Sequence, residues 1–153
     1  MISVNVFSEE KAWSKRLKNK DLFFKKICKA FPKKYKFLNK RVNFSLLLSN
    51  NRNIKRLNKN FRKKNKSTDI LSFPLDKKIK ITKKTYLGDI IISYDFINKP
   101  RSQDTKLFKD KTLKIFIHGF LHLIGFDHVN DKEHDKMLKE EDYIYKTVKL
   151  KIN

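Results

Sequence analysis

Residues 118–128 read HGFLHLIGFDH, and this stretch holds three of the four histidines of the chain. His118 and His122 are four residues apart, so on a helix they leave the same face one turn from each other, as two ligands of one ion must. Gly125 stands where that helix should stop, because glycine adopts the left-handed backbone that ends many helices. The chain then doubles back and brings His128 to a third corner of a tetrahedron whose fourth corner is open. Three neutral imidazoles with an open position describe a catalytic zinc ion, whereas a structural zinc is closed by four protein ligands. A lone histidine on an apolar face is usually an ordinary core residue, but that does not account for three at this spacing. His134 lies outside the pattern and reads as a surface residue.

A helix that carries such a site must lie on something, and the flanking sequence supplies a sheet. Asp104 can cap a long helix through Leu107, Phe108, Leu113, Phe116, Ile117, Phe120, Leu121 and Ile124. At the other end of the chain Ile2, Val4 and Val6 alternate with polar residues at the period of a half-buried strand, which Ser8 closes. Residues 21–31 place Leu22, Phe23, Ile27, Cys28 and Phe31 at helical spacing, with Cys28 a small core residue, and Pro32 ends that helix. Residues 42–49 read as a strand, and 50–62 as a helix with Ile54, Leu57 and Phe61 on one face. Two more strands are expected over 68–74 and 86–93, with Gly88 and Asp89 shaping a sheet edge. Between them a loop with Lys77, Lys78, Lys80, Lys83 and Lys84 has few apolar residues, so it is expected to be mobile and free to touch phosphate. Asp131 is expected to cap a last helix that runs to about Val148. The order strand, helix, strand, helix, strand, strand, helix, helix predicts an α+β fold. It has a single mixed sheet of about four strands covered by helices, in one domain over 1–153, with a zincin-like metal site on a helix and the following turn.

Composition narrows the partner. The 153 residues include 38 Lys or Arg against 16 Asp or Glu, a formal charge of +22. Lysine outnumbers arginine 32 to 6, which reads as a general bias in residue usage, so the excess is either solvated decoration or a surface for a polyanionic partner. Its distribution is more informative: 52–66 carries Arg52, Lys55, Arg56, Lys59, Arg62, Lys63, Lys64 and Lys66 with no acid, while 127–142 holds seven of the acids. With 39% apolar residues and 13 Phe the chain can bury a core, so wholesale disorder is excluded. One cysteine excludes an internal disulfide and a Cys-rich zinc site, and fits a reducing cytoplasm. No uncharged run approaches the ~18–20 apolar residues of a membrane span and the first residues are no signal peptide, so a soluble cytoplasmic protein without membrane contact is expected.

The histidine spacing is also that of the metalloprotease motif H-E-x-x-H-x-x-G-x-x-H, whose glutamate is the general base. Here that position is Gly119, so the peptidase mechanism loses its base, and no strand edge is expected beside the metal to hold a peptide extended. A zinc centre that lowers the pKa of water toward about 7, in a chain with a long positive segment, suits a phosphodiester.

HGFLHLIGFDH, preceded by LNKNFRKKNKSTDILSFP (57–74) and LGDIII (87–92), resembles the YbeY family of bacterial single-strand-specific endoribonucleases that mature ribosomal RNA. The resemblance spans about 42–145. It implies one Zn2+ on His118, His122 and His128, a catalytic role for Arg62 at the end of LNKNFR together with His118, and a place for Ser72 beside the metal cleft. Many members carry Tyr where this chain has Phe61, so a hydroxyl lining the site is expected to be missing. The implied activity is zinc-dependent cleavage of single-stranded ribosomal RNA, in maturation of the 16S rRNA 3′ end and ribosome quality control, with the small ribosomal subunit as partner. The residues agree: the planar fork of Arg62 matches a phosphate as a lysine does not. Asp127 is expected either to orient a ligand imidazole from behind or to cap the turn. Hydrolysis by water and attack by the RNA 2′-hydroxyl both fit the sequence. The alternatives are a metal-dependent peptidase and a noncatalytic rRNA-binding assembly factor with a structural zinc.

If the 52–66 segment makes about four phosphate contacts, RNA affinity should fall with salt at a log–log slope of roughly −3. A salt titration with a flat response would mark the charge as decoration.

Overall fold

Apolar residues at every second position build a sheet with two different faces in the computed structural model of the chain, which describes residues 1–152. The strands are β1 (Ile2–Ser8), β2 (Arg41–Ser49), β3 (Ile70–Pro74) and β4 (Lys84–Ser93), in the order β1-β2-β4-β3. β1 and β4 each lie parallel to β2, and β3 runs antiparallel to β4 at the sheet edge. Alternation sends Phe44, Leu46, Leu48, Ile90 and Ile92 into one core and Leu47, Leu71, Phe73 and Ile91 into another on the opposite face.

Among the described residues six α-helices cover these faces: α1 (Trp13–Arg16), α2 (Lys20–Ala30), α3 (Asn51–Arg62), α4 (Tyr94–Ile97), α5 (Thr105–Leu123) and α6 (Asp131–Ile152). α2, α5 and α6 share the larger core, where Phe24, Phe44 and Phe31 meet Phe116 and Phe120 of α5 with ring centroids 4.9 to 5.7 Å apart. α3 rests on the other face through Ile54. The fold is therefore the α+β class with one mixed four-stranded sheet that the sequence predicts. No helix among the described residues is long and apolar enough to cross a membrane. Cys28 is buried as expected, and burial pushes its thiol up to about 12.

Several expectations need correction. The short helices α1 and α4 are too brief to show a period; Trp13 accounts for them, donating its indole N–H to the Ser49 carbonyl at 2.9 Å and packing edge-on against Tyr94 and Phe108. On α3 the buried pair is Ile54 and Asn58, not Ile54 with Phe61, which is 68% exposed. The Asn58 amide donates to the Lys66 carbonyl at 2.9 Å and so ties down the chain that follows the helix. Asn130, not Asp131, caps α6 by accepting from the Glu133 N–H, and that helix runs on to Ile152. In the lysine-rich loop Ile79 and Ile81 pack against the core.

Gly88 and Asp89 shape no edge, since β4 is an interior strand. Between the pairs Asn43/Tyr86 and Ser45/Asp89 the register shifts, with two residues of β4 opposite one of β2. Gly88 takes φ +133° in this bulge, and a Cβ there would stand 2.2 Å from the Phe73 carbonyl oxygen. Backbone, not a flexible side chain, is in the way. Gly88→Ala should therefore destabilise the fold by more than about 2 kcal/mol, and a thermal or urea melt that shows no loss would contradict this account of the bulge.

Candidate metal centre and its cleft

α5 starts as the sequence predicts, with the Asp104 carboxylate accepting from the Leu107 N–H at 2.8 Å. Its end makes the site. The Phe126 N–H bonds the Leu121 carbonyl at 3.0 Å and the Gly125 N–H bonds the His122 carbonyl at 3.2 Å. This is a Schellman reversal, with Gly125 at φ +103° in the left-handed position. The reversal carries His128 back toward the last turn of α5. Ligand nitrogens of His118, His122 and His128 then all lie within 4.8 Å of one another and can hold a metal ion.

The hydrogen bonds behind the rings decide which nitrogens face the centre. His118 Nδ1 lies 2.5 Å from a Glu141 carboxylate oxygen, and His122 Nδ1 lies 3.0 Å from the Phe126 carbonyl. Both partners only accept, so each Nδ1 carries the proton and each neutral ring keeps a lone pair on Nε2. Those two Nε2 atoms face each other at 3.1 Å. Two lone pairs that close repel unless a cation lies between them, and two ligands of one tetrahedral zinc at 2.0–2.1 Å would be about 3.3 Å apart. The donor set fits zinc. Burial first, and then the neighbouring charge of His118, push the His122 pKa below its ordinary value, which favours the neutral ligand form.

Asp127, for which the sequence left two roles, accepts from the His128 N–H at 2.8 Å and thus caps the turn. The residue that orients a ligand from behind is Glu141. Sequence reasoning missed it, although a signal was present: Glu141 shares the α6 stripe of Met137, Ile144 and Val148, all buried, at helical spacing. A carboxylate in an apolar stripe needs a partner. His134 is exposed, its ring 6.4 Å from that of His128 and outside the ligand cluster.

The histidines line one end of a cleft of about 630 Å³, and Arg62, Ser72 and Lys77 line it as well. Arg62 reaches the cleft around the edge of the sheet, where its guanidinium donates to the Ser72 carbonyl at 3.0 Å. The Ser72 hydroxyl donates to the Gly119 carbonyl at 3.2 Å, which binds β3 to the histidine helix. The other seven basic residues of 52–66 are exposed, and none of them lines the cleft. Phe61 does not line it either, so a tyrosine hydroxyl at that position would not reach the metal.

The expectation that no strand edge borders the metal is wrong. β3 is an edge strand, and its residues Ile70, Ser72 and Pro74 line the cleft. Two features still separate it from a peptide-binding edge. Asp69 and Leu75 make the backbone bonds toward β4, so the alternate residues 70, 72 and 74 face outward. Of these, Pro74 has no N–H to donate and the Ser72 carbonyl is taken by Arg62. At Gly119 a Cβ would stand 2.5 Å from the Ile70 δ-methyl and 3.2 Å from the Ser72 hydroxyl, so a glutamate at the protease position would have to displace the Ile70 side chain.

The family model described as Endoribonuclease YbeY matches residues 5–149 of this chain. The endoribonuclease YbeY of Pelagibacter ubique is 57% identical over 152 residues, covering 99% of each chain, and that of Buchnera aphidicola (subspecies Acyrthosiphon pisum) is 40% identical over 135 residues, covering 86% of this chain and 83% of that protein. The solution structure of TM1509 from Thermotoga maritima has a similar fold, with TM-score 0.58 at 27% identity, over 97% of this chain and 89% of that one.

Glu141→Ala should leave the helical content unchanged and weaken zinc binding by about 10- to 100-fold, the usual effect of losing the partner that orients a ligand histidine. Competition titration against a chromogenic chelator measures this, and parental affinity would remove Glu141 from the site.

Proposed function

We propose, from the premise that the chain belongs to the YbeY endoribonuclease family, that it is a zinc-dependent endoribonuclease specific for single-stranded ribosomal RNA. In this reading residues 1–153 act as one domain in the cytoplasm, on the 16S rRNA 3′ end and in ribosome quality control, with the small ribosomal subunit as partner. The observation that carries the reading is the presence of Arg62 and three converging histidines on a single cleft.

Zinc bound by His118, His122 and His128 would supply Lewis acidity beside the scissile phosphodiester. The protein's own groups do the rest. Glu141 and the Phe126 carbonyl hold two of the imidazoles in one tautomer, so no proton has to leave Nε2 of either ring before it binds an ion. His118 is in this sense both a ligand and a catalytic residue. Arg62 has five N–H donors, and the bond to Ser72 fixes the guanidinium while leaving others for the nonbridging oxygens, where negative charge grows in the transition state. Arg52, Lys55, Arg56, Lys59, Lys63, Lys64 and Lys66 neutralise phosphates of the same strand further from the reacting bond. A peptidase reading has neither the glutamate nor a free carbonyl at Ser72 on the edge of β3. A structural zinc would call for a fourth protein ligand, and the cluster among the described residues has three.

The test separates Arg62 from the metal ligands. Arg62→Ala should keep its zinc and its fold but lose cleavage of single-stranded RNA by about 10²-fold or more, and Arg62→Lys should recover only part of the rate because it restores charge without the fork. Cleavage by Arg62→Ala at the parental rate would leave the histidines as the whole of the catalytic assignment. His122→Ala should lose most of its zinc and the activity with it.

A further inference from the structure

The sheet carries a second concavity, of about 650 Å³, on the face opposite the histidines. Its walls include Phe7, Leu47, Leu57, Phe61, Phe73 and Asp89. Phe7 and Phe61 are 58% and 68% exposed, large apolar groups that the core does not need. Phe61 and Phe73 meet edge to face, with ring centroids 5.6 Å apart and planes at 63°, and most of the Phe61 ring remains open to solvent. The guanidinium of Arg62 lies 5.7 Å from the Phe73 ring centroid and bonds the outer edge of β3 at Ser72. Arg62 thus stands between the metal cleft and this groove, with one strand separating them.

We propose that the groove receives an unpaired base of the RNA whose scissile phosphate lies in the metal cleft, and that Phe61 is the ring on which that base stacks. The proposal rests on the endoribonuclease reading and adds the contact that recognises the strand. Charge identifies the occupant. α3, which supplies Leu57 and Phe61 to the groove, carries basic residues and no acid on its other positions, so the molecule it attracts is a polyanion. The apolar parts of a nucleic acid are its bases. The phosphates are kept out of the groove by its apolar walls and by the Asp89 carboxylate, which accepts a hydrogen bond from Tyr86 and is exposed. Stacking on an aromatic face tolerates any base, because every base has a π-face. It does require the base to be free. In a duplex the bases stack on each other, so this contact gives a physical origin for discrimination against paired RNA.

The test uses the full-length protein without added metal and a 2′-O-methyl oligoadenylate, which has no 2′-hydroxyl to attack its own phosphate. Trp13, the chain's one tryptophan, is fully buried and provides a constant background. Phe61→Trp therefore adds a reporter at the groove, and its emission should be quenched by the single strand and not by the same strand in a duplex. Phe61→Leu, which keeps the groove apolar but removes the ring, should weaken binding by about tenfold with the salt slope unchanged, and Phe61→Tyr should bind as the parent does. A bound oligonucleotide that leaves Phe61→Trp emission unmoved, or parental affinity in Phe61→Leu, would overturn the proposal and leave the groove as a protein-docking face. Quenching without cleavage of ordinary RNA by the parent would instead overturn the endoribonuclease reading and leave the stacking site standing.

Discussion

Two imidazole nitrogens, both with lone pairs and both aimed at the same point, are the constraint on which this molecule is organised. The His118 and His122 Nε2 atoms stand 3.1 Å apart because their other nitrogens are committed, one to Glu141 and one to the Phe126 carbonyl. Each commitment reaches a different part of the chain. The carbonyl belongs to the reversal after Gly125, and the carboxylate belongs to the last helix. The site thus requires the turn to form and α6 to return across α5, and the large phenylalanine core is what holds those pieces in place.

The same economy governs the other side of α5. Gly119 lets the helix lie close enough to β3 for its carbonyl to accept from Ser72, and a Cβ there would have to displace the Ile70 δ-methyl. One residue therefore both removes a potential base and draws the edge strand toward the histidines. Arg62 arrives from the opposite face of the sheet and occupies the outward carbonyl of that strand. A scaffold that resembles a peptide-cleaving arrangement in its ligand spacing presents a guanidinium where an extended peptide would add as a strand.

Much of this was legible in the sequence, and the failures have physical causes. The spacing of three histidines around Gly125 is a local property, so the ligand cluster, the long apolar helix and the glycine reversal could be read directly. Arg62 was legible only through its place in LNKNFR, because nothing local distinguishes it from seven basic neighbours. Glu141 was hidden by its acidic surroundings, although its position in the Met137, Ile144 and Val148 stripe distinguishes it. Phe61 was misread because helical spacing reports which residues share a face and not how far the partner surface extends. α3 packs on the sheet through Ile54 and Leu57, whereas Phe61 meets Phe73 at the edge strand and stays 68% exposed. The interior placement of Gly88 depended on strand order, which no local pattern in a strand encodes.

The bond between His118 and Glu141 also ties cation occupancy to the mechanical integrity of the molecule. α6 is 22 residues long and docks through three fully or nearly buried apolar side chains, Met137, Ile144 and Val148, so it is held by a narrow seam. Because Glu141 orients a ligand only when α6 is seated, an ion that favours the oriented ring also favours the seated helix, and by reciprocity the two free energies are equal. The coupling is the factor by which the seated helix tightens the ion, about 10- to 100-fold if Glu141 carries it, so a saturating ion adds roughly 1.4 to 2.7 kcal/mol to the docked helix. Occupancy of the histidine site would then act on the lifetime of this chain, since the undocked helix is the form a protease can grip.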